Sequence, residues 1–354
     1  MKIQNTNLPK RDHSFHKKFV SSQTPKFIFG YNNLAESIIE NFPITGIIDE
    51  FTQKKKYGDT KVYKLSEVPK NALVISVIIG RPLLAESKLK KYNLKYINYF
   101  AFSKISSKKL MPARHWIKFK KDFYINKDKY KRIYKLLSDE ISRSQFTKII
   151  NFRLSSNIKY MKGFKENQKN QYFETFLKLG NYETFVDIGC FDGYTSEMFI
   201  KKTKKKYNEI HIFEPEKNNM KVCKKNLKKY KNIIYHGLGL SNKSQKLFFS
   251  NQGSRSRVIK TGNNSINVKK LDDLNLSSCS FLKMDIEGGE INALKGMKKT
   301  IKKYRPKIAI SIYHKYDDFW KIPEIILQIN KSYKLFVRHY TEGVDETVMF
   351  FIPT

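Results

Sequence analysis

Apolar positions along the chain fall into two regions where short apolar runs alternate with helical stripes, separated by a stretch that carries helical stripes alone. In the first region a short strand, Lys26 to Phe29, meets Gly30, and Leu34, Ile38 and Ile39 then share one helical face. The run "ITGIIDE" ends on Asp49, and "ALVISVII" ends at Gly80 with Arg81 and Pro82 following. Strand, helix, strand, turn, strand predicts a small doubly wound, Rossmann-like α/β unit over 23–110. The polar, aperiodic residues 1–22 before it are expected to be a flexible lead-in.

From Met111 to about Asn170 the pattern is one of basic helices, with Ile133, Leu136, Leu137 and Ile141 at helical spacing, and residues 111–170 are expected to be a helical connector. The second alternating region, 171–354, opens with a helix stopped at Gly180 and a strand over 184–188. Strands follow in "EIHIFEP", "IIYHGLGLS", "SFLKMDIEG", "KIAISIYH", "KLFVRHY" and "ETVMFFIP", most of them separated by helical stretches. Only "TEGVD" lies between the last two, which predicts that a parallel α/β sheet ends in an antiparallel hairpin.

Two α/β domains fit a length of 354 residues. Cys190, Cys223 and Cys279 show neither a disulfide framework nor a zinc pattern, which points to a reducing cytoplasm. No apolar run approaches the roughly 20 residues of a membrane span, and the amino terminus lacks the apolar core of a signal peptide. The net charge of +37 is mostly Lys spread along the whole chain, as a biased base composition would produce. Contact with an anionic membrane surface or an acidic, lipid-linked glycan precursor ranks below that reading, and nucleic acid below both.

Candidate chemistry gathers in the second region. "VDIGCFDGYTS" places Asp187, Gly189 and Gly193 in an Asp-x-Gly-x-x-x-Gly turn between strand and helix. This lacks the G-x-G-x-x-G of a pyrophosphate-binding turn, which argues against a dinucleotide. A strand-end carboxylate beside close backbone approach suits a ligand with an ammonium group, and Glu214 at the end of the next strand suits the two hydroxyls of a ribose. Together they describe S-adenosylmethionine. Lys283, Asp285, Glu287 and Glu290 cluster where a later strand passes into a helix, the place where ligands bind in open α/β sheets.

"ETFVDIGCFDGYTSEMF", "IHIFEPE", "FLKMDIEGGEINALKG" and "RPKIAISIYHKYDDFWKIP", in this order, resemble the FkbM family of S-adenosylmethionine-dependent methyltransferases over Gln171 to Thr354. The resemblance implies methylation of hydroxyls on sugars or polyketide-type molecules, with a small-molecule or glycan acceptor. It implies that Asp187, Gly189, Cys190, Asp192 and Gly193 form the methionine side of the cofactor site. Glu214 would hold the ribose, the adenine would lie by Leu238 to Ser241, and Asp285 would border the cofactor. Cys190 and Asp192 stand where many relatives carry a small residue and Asn.

Deprotonation of a hydroxyl calls for a base, and the candidates are His314, Asp285 and Glu287; an ordinary imidazole has the resting pKa suited to that task near neutrality. Asp285 with Glu287 could instead chelate a divalent cation, but the sequence displays no complete ligand set and no metal is assigned. The block "MDIE" differs from the D/N-P-P-Y type that holds a flipped, amino-bearing base, which disfavours a nucleic-acid methyltransferase. Acids retained at all three cofactor positions disfavour a noncatalytic nucleotide-sugar-binding scaffold. In the first region Gly30 could make a tight turn and Asp49 takes the ribose position. The later fingerprint glycines are Asn32 and Ala35, so a degenerate module for docking or acceptor recognition is expected there.

Overall fold

A computed structural model describes residues 1–4, 6–113, 117–250, 257–259 and 265–354. The chain divides into two compact units: Met1–Ile125, Ser144–Glu166 and Thr341–Asp345 form one, and Asn126–Arg143, Asn167–Tyr340 and Glu346–Thr354 the other.

The first unit begins with α1 (Lys10–Ser21), where a flexible lead-in is expected. The helix is held by Phe19, fully buried with its ring edge-on to Phe42 and Phe102 at 5.7 and 5.1 Å. Three aromatic rings thus hold a segment whose polar majority hides its one anchor. There follow β1 (Lys26–Phe29), α2 (Asn33–Ile39), β2 (Gly46–Ile48), β3 (Lys56–Tyr57), β4 (Thr60–Tyr63), β5 (Leu73–Ser76), α3 (Pro82–Lys91), β6 (Lys95–Asn98), α4 (Tyr99–Ile105) and α5 (Phe119–Ile125). The sheet runs β3-β4-β2-β1-β5-β6, parallel except for the β3/β4 hairpin. β1 and β5 are buried along their whole length, as central parallel strands are. Phe27, Phe29, Ile48, Val74 and Leu89 form part of the core.

The connector pattern resolves into α6 (Lys127–Leu136) and α7 (Glu140–Ser155). The expected stripe breaks between them: Ile133 and Leu137 are buried, while Leu136 and Ile141 are exposed. Leu137 is extended and bridges to Leu335 instead of continuing the helix. The two helices divide between the units near residue 143, so 111–170 is not a separate body.

The second unit contains β7 (Thr184–Ile188), α8 (Tyr194–Lys202), β8 (Glu209–Phe213), α9 (Lys217–Leu227), β9 (Ile233–His236), β10 (Gly239–Leu240), β11 (Gln245–Ser250), β12 (Arg257–Ile259), β13 (Ser265–Lys269), β14 (Phe281–Met284), α10 (Glu290–Lys295), α11 (Lys298–Tyr304), β15 (Lys307–Ser311), α12 (Asp318–Ile329), β16 (Tyr333–His339) and β17 (Thr347–Pro353). Its main sheet runs β16-β17-β15-β14-β7-β8-β9. β17 is antiparallel to both neighbours, which realises the expected hairpin. A single strand over "IIYHGLGLS" is not formed: two glycines interrupt it, and Gly239–Leu240 pair with β13 in a second, four-stranded sheet. The helix expected before Gly180 is only a short 3₁₀ turn, Thr175–Leu177.

From β7 the chain builds outward through β8 and β9, then returns to place β14 on the other side of β7. The carboxyl ends of β7 and β14 therefore flank a topological switch point, where an open α/β sheet leaves a crevice.

Candidate active site

The loop after β7 has three residues at positive φ: Gly189 at 77°, Phe191 at 54° and Gly193 at 85°. Gly189 is required by close approach as well, because a Cβ there would lie 1.9 Å from the Asp285 carbonyl oxygen. Beneath the loop, Asp187 is fully buried, with Lys283 Nζ at 3.2 Å and the Ser196 hydroxyl donating to it at 2.7 Å. Lys283 also donates to the Gly189 carbonyl at 2.6 Å. Burial alone would discharge this lysine, but Asp187 and Asp285 outweigh it and raise its pKa. The ammonium facing Asp187 is therefore Lys283, and the pair fixes the loop from below.

The other expected cofactor residues are placed unequally. Glu214 is buried after β8, accepting from Phe191 N at 3.0 Å and from Glu216 N at 2.9 Å. Each oxygen keeps acceptor capacity for a further donor, which fits a ribose diol. The Cys190 thiol is buried, 3.6 Å from the Cys223 sulfur, and that neighbour, then burial, push its pKa up. Asp192 accepts from Tyr194 N at 3.0 Å just before α8, a local turn contact. The buried Cys190 side chain builds the loop, while Asp192 is half-buried. Ser241 is buried with its carbonyl against Gly296, whose absent Cβ would meet it at 2.0 Å, while Leu238 is half-buried just before β10.

On the other flank, β14 and β15 bring Asp285, Glu287 and His314 together. His314 Nε2 lies 3.4 Å from Asp285 Oδ1 and 3.5 Å from Glu287 Oε2, and its Nδ1 lies 2.9 Å from Glu290 Oε1. Glu290 is held in turn by the Ile286 amide at 3.0 Å. Tyr172 donates to Asp285 Oδ2 at 2.7 Å, and burial and the nearby carboxylates keep that phenol protonated. Burial opposes charge on His314, but Glu290, Asp285 and Glu287 prevail and raise its pKa to about 10. At neutral pH the isolated cluster thus holds an imidazolium, which cannot accept a proton. The three surrounding carboxylates work against His314 as a resting base near neutrality.

Sequence reasoning passed over Tyr172, whose positive φ of 68° follows no residue pattern, and Phe191, whose ring is 52% exposed beside the loop. It placed Glu290 in the acidic cluster without giving it a role. The "E-G-x-E" spacing was the available signal, since Glu290 reaches back to the Ile286 amide.

In the first unit Asn32 accepts from the Leu34 and Ala35 amides at 2.9 and 3.3 Å and donates to the Val77 carbonyl at 3.1 Å. Asp49 accepts from Phe51 N, Thr52 N and the Tyr57 hydroxyl. The donors that would face a phosphate, and the carboxylate that would face a ribose, are engaged by the unit's own side chains and backbone.

An open α/β sheet with a glycine loop, a strand-end acid and an acidic cluster at its switch point has the crevice in which such sheets bind ligands. Residues 187–340 match the sequence model described as the Methyltransferase FkbM domain, and the protein is a methyltransferase whose methyl donor is S-adenosylmethionine. The fold is similar to the crystal structure of Methyltransferase FkbM from Methylobacillus flagellatus KT, with a TM-score of 0.81 at 20% identity, covering 98% of this chain and 94% of that one. An rRNA methylase from Streptococcus thermophilus aligns with a TM-score of 0.35 at 12% identity, over 50% of this chain and 92% of that one. None of the curated proteins compared matches the chain. Among the described residues, no helix is long and apolar enough to cross a membrane.

Proposed function

We propose that the protein methylates a hydroxyl of a sugar or glycan precursor. The observation that supports this most is the Asp285–Glu287–His314 cluster, which adjoins the β7 loop through the Gly189–Asp285 contact and opens to solvent at Glu287, 42% exposed. Asp187 and Lys283 hold the loop, Gly189 and Gly193 allow close backbone approach, Glu214 takes the ribose and Leu238 borders the adenine. S-adenosylmethionine, when bound there, supplies an electrophilic methyl on a sulfonium that is already a good leaving group. The chain's own residues then have two tasks, orientation and deprotonation of the acceptor.

Orientation is worth on the order of 7–11 kcal/mol, and a placed base about 10²–10⁴ in rate. With His314 protonated, the carboxylates of Glu287 and Asp285 are the proton acceptors, and Glu287 is the one that solvent and acceptor reach. The small first unit serves acceptor recognition, and the basic surface draws the protein to an anionic membrane or lipid-linked glycan on the cytoplasmic side.

Incubation with radiolabelled S-adenosylmethionine and a fractionated lysate tests the reading. Label entering glycan or lipid-linked sugar is the expected result; label entering RNA would overturn it. A Glu287→Gln variant should retain donor binding and lose transfer.

A further inference from the structure

His314 is an unusual histidine. Its side chain is only 7% exposed, and three carboxylates approach its two ring nitrogens at 2.9, 3.4 and 3.5 Å. Nδ1 faces Glu290, but Nε2 has no aligned hydrogen bond, and Asp285 Oδ1, which faces it, is likewise a buried oxygen with no hydrogen-bond partner. Packed side chains that meet only to exchange hydrogen bonds do not leave both ends unaligned. One ligand atom from each of Asp285, Glu287 and His314 lies within 4.8 Å of the other two.

We propose that Asp285, Glu287 and His314 form a binding site for one divalent cation of the Mn²⁺ class. This deepens, and rests on, the hydroxyl-methylation reading of the same crevice. Two carboxylates and one imidazole make a mixed hard and borderline set, which suits Mn²⁺ better than the all-oxygen shell that Ca²⁺ or Mg²⁺ prefers. Two of the three ligands have the outer partners such sites use. Tyr172 grips the far oxygen of Asp285 and leaves Oδ1 toward His314, while buried Glu290 sits beside Nδ1 and turns Nε2 toward the two acids. Glu287 is presented from a left-handed backbone conformation, φ 52°, and its exposure leaves open coordination positions on the solvent side. Charge agrees once the cation displaces the imidazole proton, since a dication there meets two carboxylate ligands with a third carboxylate, Glu290, beside Nδ1. A hydroxyl joining the open side of such a cation is a much stronger acid than in water.

The test titrates the full-length protein with Mn²⁺ alone, without donor or acceptor, and follows loss of the free-ion electron paramagnetic resonance signal. One Mn²⁺ per chain is expected, with affinity reduced about 10–100-fold or more in Glu287→Gln and in His314→Gln. Glu287→Gln is at an exposed position and guards against misfolding of the buried variant. No binding below about 1 mM, or binding unchanged by Glu287→Gln, would overturn the site. Donor binding, followed separately by calorimetry, distinguishes the two readings. Binding of S-adenosylmethionine without Mn²⁺ binding sinks the cation alone, and Mn²⁺ binding with label passing to RNA sinks the glycan-precursor reading alone.

Discussion

Both units place a glycine at positive φ immediately after a central parallel strand, Gly30 after β1 and Gly189 after β7, yet the two turns end in opposite chemistry. After β1, Asn32 closes the turn on itself by capping α2 and tying it to Val77, and Asp49 is spent on its own loop and Tyr57. After β7, the polar effort goes beneath the loop instead, through Asp187, Ser196 and Lys283, and the surface above is left to backbone and Glu214. A doubly wound unit is therefore not a binding site by virtue of its fold. What separates the two is whether side chains satisfy the turn from outside or from inside.

The sharpest break of this comparison is a methyl group on each glycine. Gly189→Ala forces a Cβ against a backbone carbonyl and should destabilise the second unit by on the order of 4 kcal/mol, with loss of S-adenosylmethionine binding in calorimetry. Gly30→Ala meets side chains only, Ile78 at 3.0 Å and Val77 at 3.4 Å. It should cost about 1–3 kcal/mol of backbone strain and leave donor affinity unchanged; equal loss of donor binding in both variants would end the distinction.

Next in size is Lys283→Met, which strands a buried carboxylate and should cost about 3–5 kcal/mol in denaturant unfolding, with weakened donor binding. A smaller effect lies in pH. His314 titrates near about 10 when folded and at 6.5 when unfolded, so its contribution to stability is complete below pH 6.5 and is lost as pH rises through about 10. Melting temperature should fall across that window in the metal-free protein, and His314→Gln should flatten the slope. Smallest is Asn32→Ala, worth about 1 kcal/mol as a lost cap and silent in donor titrations.

The sheet of the second unit was legible because its strands are short apolar runs closed by charged or glycine-containing turns, and β7, β8, β14 and β15 lie where those runs predict them. The failures share a cause. α1 was missed because one phenylalanine, not a stripe, anchors it, and the strands of the small sheet because they pair with partners distant in sequence. The acids of the site could be read from their strand ends. Their partners could not: Asp187 with Lys283, and His314 with Glu290, are encounters between separate strand ends whose outcome is a shifted pKa and not a motif.

Gly189 resting on the Asp285 carbonyl has one more consequence. The loop that would carry the methyl donor and the loop that carries the acidic cluster touch backbone to backbone, with no side chain between to absorb a displacement. A ligand that settles one settles the other. Thermodynamic linkage then makes the debt mutual: by whatever factor a cation at Asp285 tightens the donor, the donor tightens the cation, and order of addition cannot alter the equilibrium either reaches.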